Sequence, residues 1–228
     1  MYTEGEYLTK NPTWHTEDSP WKAERILAMM RRNRLEIKSV CEVGCGAGDI
    51  LRRLRDALPS DVRFTGYDIS PQAIDLCGRG DSERLEFHLG DFARQGNGRF
   101  DLVLAIDVFE HVEDYFGFLR GLRGKGGRFI FHIPLDLSVQ TVLRGSPILR
   151  ARLDVGHVHY FTKETALATL TDCGYEVIDY FFTGGAIDLP ARSLRAAIAK
   201  VPRKLIFKLN SNLAARTLGG FSLLVLAR

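Results

Sequence analysis

The sequence predicts an α/β protein built around a sheet of parallel strands, and three observations carry that prediction. From residue 37 onward, short apolar runs alternate with segments of helical period. One run, FDLVLAID (100–107), is apolar almost throughout, as a strand covered on both faces must be. Strand, helix, strand, helix is also the order that right-handed crossovers between parallel strands require. Composition agrees. A chain of 228 residues, 45% hydrophobic and 26% charged, can bury a sizeable core, and these values exclude collagen-like, coiled-coil and disordered classes.

The elements follow in order. The first 18 residues are polar and aromatic, without period. Ser19-Pro20 opens a helix, with Ser as N-cap and Pro in the first turn. Trp21, Ile26, Leu27 and Met30 form its apolar face, and Arg31, Arg32 and Arg34 suit its carboxyl end. SVCEV (39–43) is a strand. Residues 49–58 form a helix with Ile50, Leu51, Leu54 and Leu58 on one face, stopped by Pro59. VRFTGYD (62–68) is the next strand, and Ser70-Pro71 caps a helix through Leu76. RLEFHL (84–89), FDLVLAID (100–107), GRFIFHI (127–133), YEVIDYFF (175–182) and GFSLLVLA (220–227) bring the strands to seven. Residues 109–122 read as helix, and Thr162 caps another that stops at Gly174. Between the last two strands lies an insertion, 184–218. There Leu194, Ala197, Ile198 and Val201 stand at helical spacing, Pro202 breaks the pattern, and a second helix is expected over 203–218. The division is then an N-terminal segment and helix (1–36), a candidate lid, and a core (37–228) carrying the basic insertion.

Charge and cysteine content narrow the class. The net charge of +3 hides an asymmetry: residues 189–228 hold eight basic residues and no acid, so the rest of the chain is acidic. A basic amphipathic insertion fits a solvated face, a dimer surface or peripheral membrane contact through 189–216. Phe207 is its single aromatic, too few for the series of interleaved aromatics that stacks bases, so nucleic acid is not the expected partner. No apolar run is long enough to span a membrane, and the N-terminus lacks the basic-then-apolar order of a secretory signal. Cys41, Cys45, Cys77 and Cys173 match no zinc spacing and are expected as reduced thiols in a cytoplasm.

The most informative segment joins the first strand to the first helix of the alternation: Glu42-Val43-Gly44-Cys45-Gly46-Ala47-Gly48-Asp49. Open α/β sheets bind ligands at the carboxyl ends of their strands, and a glycine-rich first turn lets backbone approach the ligand. Asp68 ends the second strand, where an acid can accept hydrogen bonds from ribose hydroxyls. Turn and acid together indicate a nucleoside-containing cofactor. The dinucleotide fingerprint needs a third glycine where Asp49 stands. A pyrophosphate would also face Glu42 and Asp49 with no basic residue in the loop. Carboxylates suit a ligand with positive groups, and S-adenosylmethionine has an ammonium and a sulfonium.

CEVGCGAGDI, Asp68 in GYDIS, Asp91 in LGDF, FDLVLAIDVFEHVED and GHVHYFTKETALATLTDCGYEV together resemble the motifs of class I S-adenosylmethionine-dependent methyltransferases of the small-molecule type, over 37–182 and 219–228. The resemblance implies a Rossmann-like seven-stranded sheet, order 3-2-1-4-5-7-6, with strand 7 antiparallel and helices on both faces. It implies that Gly44, Cys45, Gly46 and Gly48 pass under the methionine portion, with Glu42 organising the loop. Asp68 would bind the ribose and Ile69 pack on adenine. Asp91 and Phe92 would hold adenine's amino edge and face, and Ile106 and Asp107 would end the fourth strand beside the sulfonium. A plainer reading makes Asp107 and Glu110 helix N-terminal acids.

Methyl transfer from a sulfonium is a direct displacement in which the protein supplies binding and alignment. A hydroxyl acceptor needs a base, usually His. His111 is the first candidate, His157 and His159 the next, with a loop-ordering role as the alternative for each. His88 and His132 lie inside strands and read as structural. No metal is expected, since these His are not joined by acids at ligand spacing. Tyr7, Trp14, His15 and Tyr160 are candidate acceptor contacts, and the N-terminal aromatics a candidate lid. The expected activity is methylation of a small-molecule hydroxyl, on a saccharide or secondary metabolite, by a monomer or homodimer. The alternatives are N- or C-methylation by alignment alone, a non-catalytic S-adenosylmethionine-binding module, and an NAD-dependent oxidoreductase.

Overall fold

The structure, a computed structural model, describes residues 16–78, 83–96, 98–190 and 194–228. A 3₁₀ turn (Thr16–Asp18) leads into α1 (Ser19–Arg32), and β1 (Ser39–Val43) passes through the glycine turn into α2 (Asp49–Ala57). β2 (Arg63–Asp68), α3 (Pro71–Cys77), β3 (Leu85–Leu89), α4 (Phe92–Gln95) and β4 (Phe100–Ile106) continue the alternation. A 3₁₀ turn (Phe109–His111), α5 (Tyr115–Arg123) and β5 (Gly126–Pro134) follow. Then come α6 (Val139–Arg144), α7 (Ser146–Arg150), a π turn (Ala151–Val155) and α8 (Lys163–Asp172). β6 (Val177–Thr183), α9 (Gly185–Asp188), α10 (Leu194–Leu209), α11 (Ser211–Leu218) and β7 (Ser222–Ala227) complete the chain.

The sheet order is 3-2-1-4-5-7-6, with β7 antiparallel to both β5 and β6. The order reverses direction between β1 and β4, which pair in parallel with Val40 beside Leu102 and Val43 beside Ala105. Such a switch point opens a crevice at the carboxyl ends of the strands.

Period two explains why β4 is apolar from Leu102 to Ile106. Leu102, Leu104 and Ile106 pack with Ile26 and Met29 of α1 and Leu51 and Leu54 of α2. Val103 and Ala105 point the other way, into a cluster with Phe129, Phe131, Leu119 and Val225. Both faces are therefore core, and truncating a buried leucine such as Leu102 to alanine should cost about 2–5 kcal/mol.

Local chemistry sets several helix starts. The Ser70 hydroxyl accepts from the Ala73 amide at 3.3 Å, and Thr162 and Thr165 form a reciprocal capping box at α8. Four expectations need correction. Ser19 is not the N-cap of α1 but its first residue, because the preceding 3₁₀ turn carries the backbone in and makes Asp18 the cap. Residues 109–122 are not one helix, because the backbone is extended at Val112 and Asp114 caps α5 anew, accepting from Gly117. Residues 139–155, to which the sequence pattern assigns no element, form α6, α7 and the π turn. Pro202 does not stop α10, which runs through it to Leu209, and the second helix begins only at Ser211. Among the described residues, no helix is long and apolar enough to cross a membrane.

Candidate active site

A cleft of about 380 Å³ opens at the carboxyl ends of β1, β4 and β5, a volume within the range of small-molecule sites. Its floor is the β1–α2 turn. Gly44, Gly46 and Gly48 have φ of 73°, 54° and 79°, backbone that glycine adopts without cost. At Gly44 a Cβ would stand 2.7 Å from the Val108 side chain, and at Gly48 one would stand 2.4 Å from the Phe87 ring. The turn is pinned from β2: the Gly44 and Cys45 amides donate to the Tyr67 carbonyl, and the Gly46 amide donates to Asp68 Oδ2 at 2.9 Å. Asp68 Oδ1 accepts from the Ser70 amide at 2.9 Å. Each Asp68 oxygen keeps a second acceptor site. Burial pushes the Asp68 carboxyl above its ordinary value against these backbone hydrogen bonds.

Glu42 is buried beneath the turn, and its Oε2 has no hydrogen-bond partner among the described residues. Burial drives its carboxyl well above the ordinary value, with Lys22 opposing. Ile69, beside Asp68, is 49% exposed and open to a ligand. Asp91 caps α4, accepting from the Arg94 amide at 3.2 Å. The ring of Phe92 lies elsewhere than expected. It is fully buried against Tyr67 and Phe100, with Lys125 over its face, so it offers no face to adenine.

Ile106 and Asp107 line the cleft. Asp107 turns the chain at φ 55° as β4 ends. Its carboxylate meets Lys22 Nζ at 2.8 Å and His132 Nδ1 at 2.6 Å, and His132 Nε2 lies 2.8 Å from Thr183 Oγ1. Burial alone would raise the Asp107 carboxyl, but His132 and Lys22 hold it well below the usual carboxylate range. Lys22 is kept charged by Asp107 against its own burial. His132, read from sequence as a structural strand residue, therefore belongs to the cleft. The missed signal was its place at the carboxyl end of β5. Lys22 stands four residues before Ile26 and seven before Met29, on the face that α1 buries, a position the sequence reading left without a role.

His111 and His157 line the opposite wall, with ring centroids 4.8 Å apart. His111 Nδ1 lies 3.0 Å from the Gly156 carbonyl, and His157 Nδ1 lies 2.7 Å from Asp136 Oδ2. Burial and the neighbouring His157 push His111 down to about 4, so it is neutral at pH 7. Between them stands Glu110, fully buried, with neither carboxyl oxygen hydrogen-bonded among the described residues. His159 is set apart from the cleft: its Nε2 lies 2.9 Å from the Val112 carbonyl and its ring packs on Tyr115. Tyr160 is half-buried and does not line the cleft. Tyr7, Trp14 and His15 lie outside the described residues.

Comparison with known proteins fits this geometry. Residues 41–125 match the family model described as a methyltransferase domain. Ajmaline N-methyltransferase of Rauvolfia serpentina is 30% identical over 113 residues, covering 44% of this chain and 38% of the relative. Malonyl-[acyl-carrier protein] O-methyltransferase of Geobacter sulfurreducens is 26% identical over 172 residues, covering 69% of this chain and 63% of the relative. The chain thus spans under two thirds of the length of these curated relatives. Among solved structures, the N-methyltransferase NodS of Bradyrhizobium japonicum WM9, in complex with S-adenosyl-L-homocysteine, superposes with a TM-score of 0.58 at 19% identity, over 94% of this chain and 90% of NodS.

Proposed function

We propose that this chain is a class I S-adenosylmethionine-dependent methyltransferase, whose cleft binds S-adenosylmethionine and directs methyl transfer to a hydroxyl of a small molecule. One observation carries the reading: the glycine turn, clamped by Asp68 at the sheet's switch point, opens directly onto the His111–His157 wall. The donor set fits the cofactor. Glu42 and Asp49 favour its positive groups, Lys22 suits a carboxylate, and Asp68 and Ile69 suit the ribose and adenine. When bound, the cofactor supplies an electrophilic methyl group. The chain's own contribution is alignment, exclusion of water, and an acceptor wall where a hydroxyl gives up its proton.

The hydroxyl reading rests on that wall, because an amine or carbon acceptor would have less use for two ordered imidazoles. A saccharide or secondary metabolite suits the polar lining. Thr16, Asp18, Trp21 and Lys22 also line the cleft, which supports the N-terminal segment as its cover. All four cysteines are buried and none forms a disulfide, in keeping with a cytoplasmic setting.

Asp68→Ala tests the cofactor map. It removes charge-assisted hydrogen bonds worth about 1.5–3 kcal/mol each, so affinity for S-adenosylhomocysteine should fall about 10–100-fold by calorimetry, with circular dichroism retained. Unchanged affinity would refute the assignment.

A further inference from the structure

We propose that Glu110, His111 and His157 form a binding site for a divalent transition-metal cation in the wall of the cleft. One ligand atom from each lies within 4.8 Å of the others. His111 Nε2 is 3.9 Å from Glu110 Oε1. Metal bonds of about 2.1 Å need these atoms to close by roughly 1 Å, a small side-chain adjustment.

The surroundings are those of a prepared ligand set. A carbonyl can only accept, so the 3.0 Å contact to Gly156 places the His111 proton on Nδ1 and a lone pair on Nε2. Asp136 does the same for His157 at 2.7 Å. Metal-binding imidazoles carry just such a carbonyl or carboxylate partner on the far nitrogen. The backbone fixes the two segments together: the Val158 and His159 amides both donate to the Glu110 carbonyl, at 2.9 and 3.1 Å.

Glu110 is the second, independent pointer. A fully buried carboxyl with both oxygens lacking hydrogen bonds among the described residues is costly unless something else satisfies it. The surroundings agree: the carboxylates of Asp107 and Asp136 act on buried Glu110 with the Lys22 ammonium opposing them, a setting that favours an added cation. Two imidazoles and one carboxylate favour zinc, manganese, iron or cobalt over magnesium, which prefers oxygen ligands. Of the three ligands, His111 and His157 line the cleft while Glu110 lies buried behind them, so an ion held there keeps positions open on the cleft side for another donor. On the methyl-transfer reading, that donor is the acceptor hydroxyl, whose proton a cation would loosen. The site itself does not depend on that reading.

The test uses untagged, chelator-stripped full chain titrated with the chlorides of zinc, manganese, cobalt and magnesium. The wild type should take up one equivalent of zinc or cobalt, the latter giving visible ligand-field absorption. Glu110→Gln and His157→Asn should each weaken uptake by at least tenfold, and Asp136→Asn by about tenfold as a positioning residue. His159→Asn, off the cluster, should bind as the wild type does. If Glu110→Gln does not fold, His157→Asn decides. No uptake by the wild type at millimolar metal, or undiminished uptake by folded Glu110→Gln or His157→Asn, would overturn the proposal. S-adenosylhomocysteine titrated into the stripped protein separates the two readings. Cofactor binding without metal uptake sinks the cation site alone. Metal uptake without cofactor binding sinks the methyl-transfer reading and leaves the site standing.

Discussion

Asp107 ends β4, takes a left-handed backbone and holds the Lys22 ammonium and the His132 ring at once. Asn accepts that backbone as readily as Asp, so Asp107→Asn isolates the charge. Breaking a buried ion pair leaves its partners uncompensated, and the substitution should cost about 3 kcal/mol at pH 7 in denaturant unfolding. The sign of the pH dependence follows from the lowered carboxyl. The stabilisation is present above the ordinary Asp range and is lost as pH falls below it, so the gap between wild type and variant should close below about pH 4. A gap that persisted to pH 3 would show that shape, not charge, holds Asp107.

At the scale of elements, the β1–α2 turn makes the sharpest demand on sequence. Gly44→Ala sets a methyl group 2.7 Å from Val108 at φ 73°. Backbone strain alone there is about 1–2 kcal/mol. The variant should lose that much stability and at least tenfold in S-adenosylhomocysteine affinity, and Val108→Ala in the same chain should restore part of both. No recovery would place the damage in the backbone conformation alone. Such turns were legible in the sequence because glycine has few other uses, and β4 because burial on two faces leaves no polar position from Leu102 to Ile106. The stretch 139–155 was not. Val139, Val142, Leu143, Leu149 and Leu153 are exposed, so no buried face imposes a period on its short helices. Pro202 misled for a local reason: a proline removes one helical hydrogen bond, which the rest of α10 outlasts.

The candidate site divided in the same way. The cofactor side lies on consecutive residues of one turn and one strand end, which a motif can capture. The polar walls do not. Glu110 and His111 meet His157 across some 46 positions, and Asp107 meets Lys22 across about 85, so only the folded sheet brings them together. Phe92 shows the converse, a residue whose neighbour Asp91 caps α4 while its own ring serves the core.

For the whole molecule, sheet order is the link between sequence and function. Reversal between β1 and β4 places the glycine turn, the Asp107 network and the His111–His157 wall around one cleft. On the proposed reading, the acids at its floor, Glu42 and Asp49, suit a cationic cofactor better than a pyrophosphate one. Calorimetric titration of the full chain with S-adenosylmethionine, S-adenosylhomocysteine and NAD tests that claim most directly. The account predicts binding of the first two and none of NAD; binding of NAD alone would contradict it.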